Sequence, residues 1–243
     1  DAVLLAFITA AQLALARIYL DAKSGLRAPL GIALLFWAAL AAGILVKGPV
    51  APLAATLTVI ALTISERRAR WLRDLRPVAG IVLLLLIVLP WVIAISTATQ
   101  GQFLSDSLGH DFLGKLIGAQ ESHGAPPLYY LALLMISFWP GTLFLGPAIA
   151  WGWRQRRVDA ERFLIAWGVP FWIVLELVPT KLPHYSLPTH AAAYWLIAAA
   201  VMAEPRRWSR IAGVALLGVA SVVLAVVAGY GMWEFGDGGD MFW

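Results

Sequence analysis

A chain of 243 residues that is 61% hydrophobic and only 13% charged, with twelve tryptophans, is too apolar for a water-soluble domain and reads as a membrane protein. It has no cysteine, which excludes disulfides and thiolate metal sites. The net charge of +4 is less informative than where the charges fall, and no nucleic-acid partner is expected.

A helix needs roughly 20 apolar residues to cross a hydrocarbon core of about 30 Å. Apolar runs at about 2–20, 28–46, 49–64, 77–97, 128–150, 163–179, 185–203 and 211–230 predict eight spans in an all-α, polytopic transmembrane bundle. An outer-membrane barrel would show alternating strands of about ten residues. The continuous run from Ile81 to Leu89 leaves no lumen-facing polar positions and excludes it. The predicted organisation is a transmembrane domain over 1–230, including an outer loop at 98–127, followed by a tail at 231–243. The chain starts at Asp1 directly before an apolar run, without the charged region or cleavage site of a signal peptide, and is expected to be a fragment.

The first run ends in Arg17, Asp21, Lys23 and Arg27, with Gly25 and Pro29 breaking the helix. The second stops at Lys47-Gly48-Pro49, a combination that makes a tight corner between antiparallel helices. The third ends in five arginines between Arg67 and Arg76. After the fourth comes the long polar excursion, and later connectors are 154–162, the turn from Pro179 to His184, and 204–210. Alternating these connectors between two faces puts fifteen of the eighteen Lys and Arg on one side, which the positive-inside rule makes cytoplasmic. The exceptions are Lys47, Lys115 and Lys181, one in each outer connector. His110, His123, His184 and His190, with Asp1, Asp106, Asp111 and Glu121, lie in or near the same outer face.

The turn Pro179-Thr180-Lys181-Leu182-Pro183-His184-Tyr185-Ser186-Leu187-Pro188 sets a cation, an imidazole and a phenol on a proline-stiffened backbone. Lys and Tyr also serve as interfacial anchors, so the residues alone allow either a binding site or an anchor. Lys47 admits two readings as well. It is a bystander at a helix corner, or it adds a full charge to the anion site at the start of the next helix. Glu121 and His123 are spaced to share a divalent ion, although two ligands fall short of the three or four of a zinc site, and solvated loop residues would look the same. Tyr129-Tyr130 suits an interface belt, and Trp139-Pro140 predicts a kink whose freed carbonyl a neighbouring helix must satisfy. Glu176 lies about one turn inside a span, where a carboxylate needs water or a partner, and Lys181 is the natural one.

Three motifs together carry a resemblance: Lys47-Gly48-Pro49; Glu121-Ser122-His123-Gly124 with Pro126, Pro127 and Tyr129-Tyr130; and Pro179 through Tyr185. Over residues 1 to about 203 the chain resembles the bacterial polyprenyl-phosphate-dependent glycosyltransferases of family 39, related to lipid A aminoarabinose transferase and protein O-mannosyltransferase. The resemblance implies a multi-span fold of the GT-C type in the bacterial cytoplasmic membrane. It also implies a site facing the periplasm, a polyprenyl-phosphate sugar donor, a lipid or protein acceptor, and surrounding membrane lipids. It implies a catalytic acid in a first outer loop, expected upstream of Asp1, so no catalytic residue is assigned in this chain. Carried over by motif, the substrate-binding residues are Lys47, Glu121, His123, Tyr129, Lys181, His184 and Tyr185. A divalent metal ion would fall to His123 and Glu121. Ala125 and Pro127 depart from relatives that often carry Lys and an aromatic there.

A lipid-phosphate leaving group gains negative charge as the glycosidic bond breaks, and a preorganised cation favours that state. Two other classes compete with transfer. A transporter would set ionisable groups near the midplane, where this chain has only Glu176 inside a span. A non-catalytic assembly subunit is the other, consistent with the expected absence of the catalytic loop.

Overall fold

A computed structural model describes residues 1–100, 102, 128–203 and 206–235. The described residues are all-helical, as the apolar runs predict. They are α1 (Ala2–Lys23), α2 (Leu30–Lys47), α3 (Val50–Glu66), α4 (Pro77–Ala98), α5 (Tyr129–Ser137), α6 (Leu145–Gln155), α7 (Asp159–Leu177), α8 (Leu187–Met202) and α9 (Arg207–Phe235). Short 3-10 turns at Arg70–Leu75, Gly141–Phe144 and Pro183–Ser186 lie between them.

By length and composition α1, α2, α4 and α9 are able to cross a membrane. A fifth crossing is made only if the segments Tyr129–Ser137 and Gly141–Gln155, bent by 113°, form one. The eight expected spans are therefore not reached on this measure. α3 has 17 residues and α8 has 16, at or below the short limit for a crossing. α7 spends four of its 19 positions on Asp159, Glu161, Arg162 and Glu176.

The chain divides into two compact units, one formed by 1–127 and 155–195, the other by 128–154 and 196–243. In the first, α1 packs along α2 and α3, α2 along α4, and α3 along α7. Its core gathers Leu15, Ile18, Tyr19, Leu62, Phe163 and Trp167. Where lipid is the solvent, burying apolar surface gives little drive to helix association, so close approach and interhelical hydrogen bonds decide the geometry. Both are present. A Cβ on Gly80 would lie 1.9 Å from the Trp37 ring, which is why α4 can meet α2 there, and Trp37 Nε1 donates to Leu75 O at 2.7 Å. Midway along α1, the fully buried Gln12 donates to Ala54 O at 3.2 Å and Thr58 Oγ1 at 2.9 Å on α3.

One end of this unit is closed by ions. Glu66, at the end of α3, accepts from Lys23 at 2.6 Å, from Arg162 at 2.8 Å, and from the Tyr19 hydroxyl. Asp159 shares Arg162 at 2.8 Å and Lys23 at 3.7 Å. α1, α3 and α7 are thereby joined. At the other end, some 33 Å away along the 22 residues of α1, Asp1 meets Lys47. The ion pairs thus put the connectors after α1 and α3 and the start of α7 at one end, and the α2–α3 corner at the other, as the charge distribution predicts.

In the second unit α9 crosses the broken segment. A Cβ on Gly213 would sit 1.9 Å from Leu143 O, so only glycine lets α9 lie this close to the 3-10 turn. Trp139 Nε1 donates to Ser221 Oγ at 3.0 Å. The expected kink at Trp139-Pro140 is a full break: α5 ends at Ser137, and Pro140, which cannot continue the helix, precedes a 3-10 turn that begins at Gly141. A carbonyl before it is satisfied locally, by Thr142 Oγ1 donating to Met135 O at 2.6 Å, rather than by a neighbouring helix. α9 runs on through Phe235, past the start of the tail expected at 231.

Burial raises the pKa of Glu66, but hydrogen bonds from Lys23, Tyr19 and Arg162 and the Lys23 charge outweigh it and hold the carboxyl below its usual range. Its contribution to stability is therefore complete above the unfolded value of about 4.3 and is lost as acid titrates it through the lower native value. Glu66→Ala should destabilise the chain by about 2 kcal/mol, less than a fully buried pair because Lys23 and Arg162 keep Asp159 and some water. Denaturation in detergent measures this, and a loss below about 0.5 kcal/mol would show that the cluster does not hold the helices.

Candidate functional site

The corner between α2 and α3 sets the site's first cation. Gly48 adopts φ +57° and ψ −132°, a conformation that side-chain-bearing residues avoid, and Pro49 precedes the first residue of α3. Lys47, the last residue of α2, is thereby held at the end of the unit. Its Nζ lies 2.6 Å from Asp1 Oδ1 and 5.1 Å from the centroid of the Tyr185 ring, a cation-π distance. Asp1 Oδ2 is 3.4 Å from His184 Nε2, and the His184 and Tyr185 rings meet edge-on at 4.8 Å. Lys47, His184 and Tyr185 therefore converge, with Asp1 between the lysine and the imidazole.

Burial and the positive charge of Lys47 push the His184 pKa below its ordinary value. At neutral pH the ring is neutral, so its contact with Asp1 is that of an imidazole and not of an ion pair.

Lys181 occupies a different environment from the one its turn implies. A lysine in a polar connector reads as water-facing, yet Lys181 is 6% exposed. Its Nζ lies 3.3 Å from Glu176 Oε2, the partner the sequence nominates. The burial has a local cause: α7 ends at Leu177, Val178 and Leu182 are extended, and Lys181 lies against Glu176 on the last turn of the helix. Its neighbour Thr180 is 3% exposed, and its Oγ1 has no hydrogen-bond partner among the described residues. Further on, Ser186 Oγ donates to Pro183 O at 3.0 Å and lies 3.3 Å from His190 Nε2. This side-chain pair carried no signal in the sequence beyond its four-residue spacing.

Tyr129 stands at the start of α5 in the second unit, edge-on to the buried Tyr130 at 5.1 Å. Glu121 and His123 lie outside the described residues, as do His110, Asp111 and Lys115. Among the described residues no group of three or more His, Asp or Glu is placed to hold a metal ion.

Over 197 residues, 78% of its length, the chain is 31% identical to the undecaprenyl phosphate-alpha-4-amino-4-deoxy-L-arabinose arabinosyl transferase of Yersinia pestis. It is 30% identical over 146 residues, 60% of its length, to the corresponding transferase 1 of Pseudomonas fluorescens. The chain is a homologue of one part of these transferases. It spans about a third of the length of the Yersinia relative, 35%, and 26% of the Pseudomonas one. No family model matches it. The crystal structure of ArnT from Cupriavidus metallidurans bound to undecaprenyl phosphate superposes on 95% of the chain with a TM-score of 0.62 at 19% identity, covering 39% of that protein. The apo form of the same protein gives 0.67 at 20% identity over the same share. The fold is that of ArnT over the matched part, which agrees with the GT-C type implied by the motifs.

Because the charge of Lys47 helps to depress His184, Lys47→Met should raise the His184 pKa part of the way toward its ordinary value near 6.5. The sign for stability follows. A depressed imidazole disfavours the folded state as pH falls below about 6.5, and the variant should lose less stability in that window. NMR titration of the labelled ring measures the shift. An unchanged midpoint would remove Lys47 from the electrostatics of this turn.

Proposed function

We propose that the whole protein is a membrane glycosyltransferase that moves a sugar from a polyprenyl-phosphate donor to a lipid acceptor, with its site on the outer, periplasmic face of the cytoplasmic membrane. This chain supplies the donor-phosphate site. The observation that carries the reading is the way its two outer-end lysines are held: Lys47 against Asp1, and the buried Lys181 against Glu176. A buried ion pair contributes little net stability, because desolvation offsets attraction. Such a pair is better explained as a site whose carboxylate an incoming anion can replace. The similarity to transferases whose names specify undecaprenyl phosphate supports the same ligand class.

In this reading the donor phosphate meets the ammonium of Lys181, with the spare Thr180 hydroxyl available to it as a donor. Lys47 adds a second positive charge, and His184 and Tyr185 line the approach. As the bond between the sugar and the phosphate oxygen breaks, the electron pair moves onto that oxygen. Fixed cations in a water-poor setting stabilise it more than they stabilise the intact donor. No residue of this chain is assigned the role of base toward the acceptor.

In the complete protein Lys181→Ala should weaken donor binding by at least about tenfold, the low end for removing one partner of a desolvated charge pair. Lys181→Arg should retain part of the binding, because charge survives while the point-like geometry does not. Since Lys181 is buried against Glu176, the alanine variant also loses stability. The double variant Lys181→Met/Glu176→Gln separates the two effects, because it removes both charges together and should recover stability without recovering binding. Donor binding at the wild-type level in a folded double variant would overturn the phosphate role.

A further inference from the structure

Between α3 and α4 the chain reads Arg67-Arg68-Ala69-Arg70-Trp71-Leu72-Arg73-Asp74-Leu75-Arg76, five arginines and one carboxylate in ten residues, a net charge of +4. Left-handed residues bound this stretch: Arg67 at φ 55° ends α3, and Arg76 at φ 49° precedes α4. The 3-10 turn Arg70–Leu75 lies between them. Residues three apart eclipse in such a turn, so Arg70 and Arg73 share one edge, while the other two edges carry Trp71 with Asp74 and Leu72 with Leu75. Burial follows that pattern, because all five arginines are exposed and Trp71 and Leu75 are buried. Trp71 meets Tyr19 of α1 edge-on at 5.5 Å, and Leu75 O accepts from Trp37 of α2 at 2.7 Å. The turn is therefore packed on the bundle, and its guanidinium groups project from fixed backbone positions.

Their charge is not compensated. Among the described residues no arginine of this turn has an ion pair. The other carboxylates at this end are engaged elsewhere: Asp21 with Arg17, Glu66 with Lys23 and Arg162, and Asp159 with Arg162 and Lys23. Apolar surface begins where the charge stops. Pro77 follows Arg76 directly, and Val78, Ile81, Val82 and Leu85 make an exposed stripe at helical spacing along α4, which is able to cross a membrane. A topogenic signal needs only the count of charges, whereas a folded turn that fixes where they stand is what a headgroup site needs.

We propose that this turn is a docking surface for anionic glycerophospholipids, with the headgroup phosphate on the exposed arginines around Arg70 and Arg73 and the acyl chains along the Val78 to Leu85 stripe of α4. Arginine clusters beside a membrane-spanning helix attract anionic headgroups by about 1 kcal/mol per cation. A soluble anion makes no use of the stripe, and a zwitterionic lipid brings its own cation to a surface already in excess of them. The surface lies at the Glu66 end, away from Lys47 and His184, so it does not rest on the donor reading.

The test titrates the complete protein in detergent with phosphatidylglycerol and with phosphatidylcholine of the same chain length, read by native mass spectrometry. Phosphatidylglycerol should be retained and phosphatidylcholine should not. Arg70→Gln/Arg73→Gln should weaken phosphatidylglycerol binding by about thirtyfold, and Arg70→Lys/Arg73→Lys should keep most of it. Asp74→Asn, which removes the one opposing charge in the turn, should strengthen it by about fivefold. Arg206→Gln/Arg207→Gln removes as many exposed arginines from another connector and should leave it nearly unchanged. Donor binding should stay at the wild-type level in the Arg70→Gln/Arg73→Gln variant, so the two readings fail separately. Equal retention of the two lipids, indifference to the Arg70→Gln/Arg73→Gln pair, or an equal loss in the Arg206→Gln/Arg207→Gln pair would each overturn the proposal. So would displacement by glycerophosphoglycerol, the same headgroup without chains, which would mark an anion site without a lipid.

Discussion

Three helices of the first unit meet on one carboxylate. Glu66 takes hydrogen bonds from Tyr19 and Lys23 on α1 and from Arg162 on α7, and is itself the last residue of α3. In a bundle whose outer surface faces hydrocarbon, apolar packing scarcely distinguishes one arrangement of helices from another. Directional contacts do. The pairing of Glu66 sets which ends of α1, α3 and α7 coincide, Gln12 repeats the α1–α3 link a few turns further along, and Gly80 fixes how near α4 approaches α2.

The two ends use charge differently. At the Glu66 end cations and carboxylates form one shared group. At the far end each lysine has its own carboxylate, Asp1 for Lys47 and Glu176 for Lys181, and the neighbouring imidazole is neutral. A shared cluster resists exchange because removing one member leaves the others compensated. In the proposed reading a carboxylate at the far end gives way to a phosphate, which brings the same sign of charge with more oxygens. The proposed reading of a binding end rests on that difference, and the similarity to transferases named for undecaprenyl phosphate supports the same ligand class.

Much of this was legible in the residues. The helical class follows from uninterrupted apolar runs such as 81–89, and the two ends of the first unit follow from the alternation of arginine-rich and arginine-poor connectors. The Glu176–Lys181 pair follows from a carboxylate with no other partner nearby in sequence. What was not legible depends on backbone direction. A polar turn between apolar runs reads as water-facing, but the extended residues after Leu177 return Lys181 into the packing. Pro140 reads as a kink, and the helix instead stops at Ser137 and restarts after a 3-10 turn, bent by 113°. The count of eight spans is not confirmed for α3, α7 and α8: the helices coincide with the apolar runs, but α3 and α8 are short and α7 carries four charged residues. The contact of Asp1 with both Lys47 and His184 joins residues 46 and 183 positions apart, a relation no local pattern encodes.

The central claim is that the end bearing Lys47, Lys181 and His184 faces outward and the Glu66 end faces the cytoplasm. The chain has no cysteine, so single cysteines introduced by Ser24→Cys and Pro183→Cys, both at exposed turn positions, report sidedness without background. With a membrane-impermeant maleimide on intact spheroplasts, Pro183→Cys should label and Ser24→Cys should label only after permeabilisation. Labelling of both from the same side, or the reverse order, would contradict the account.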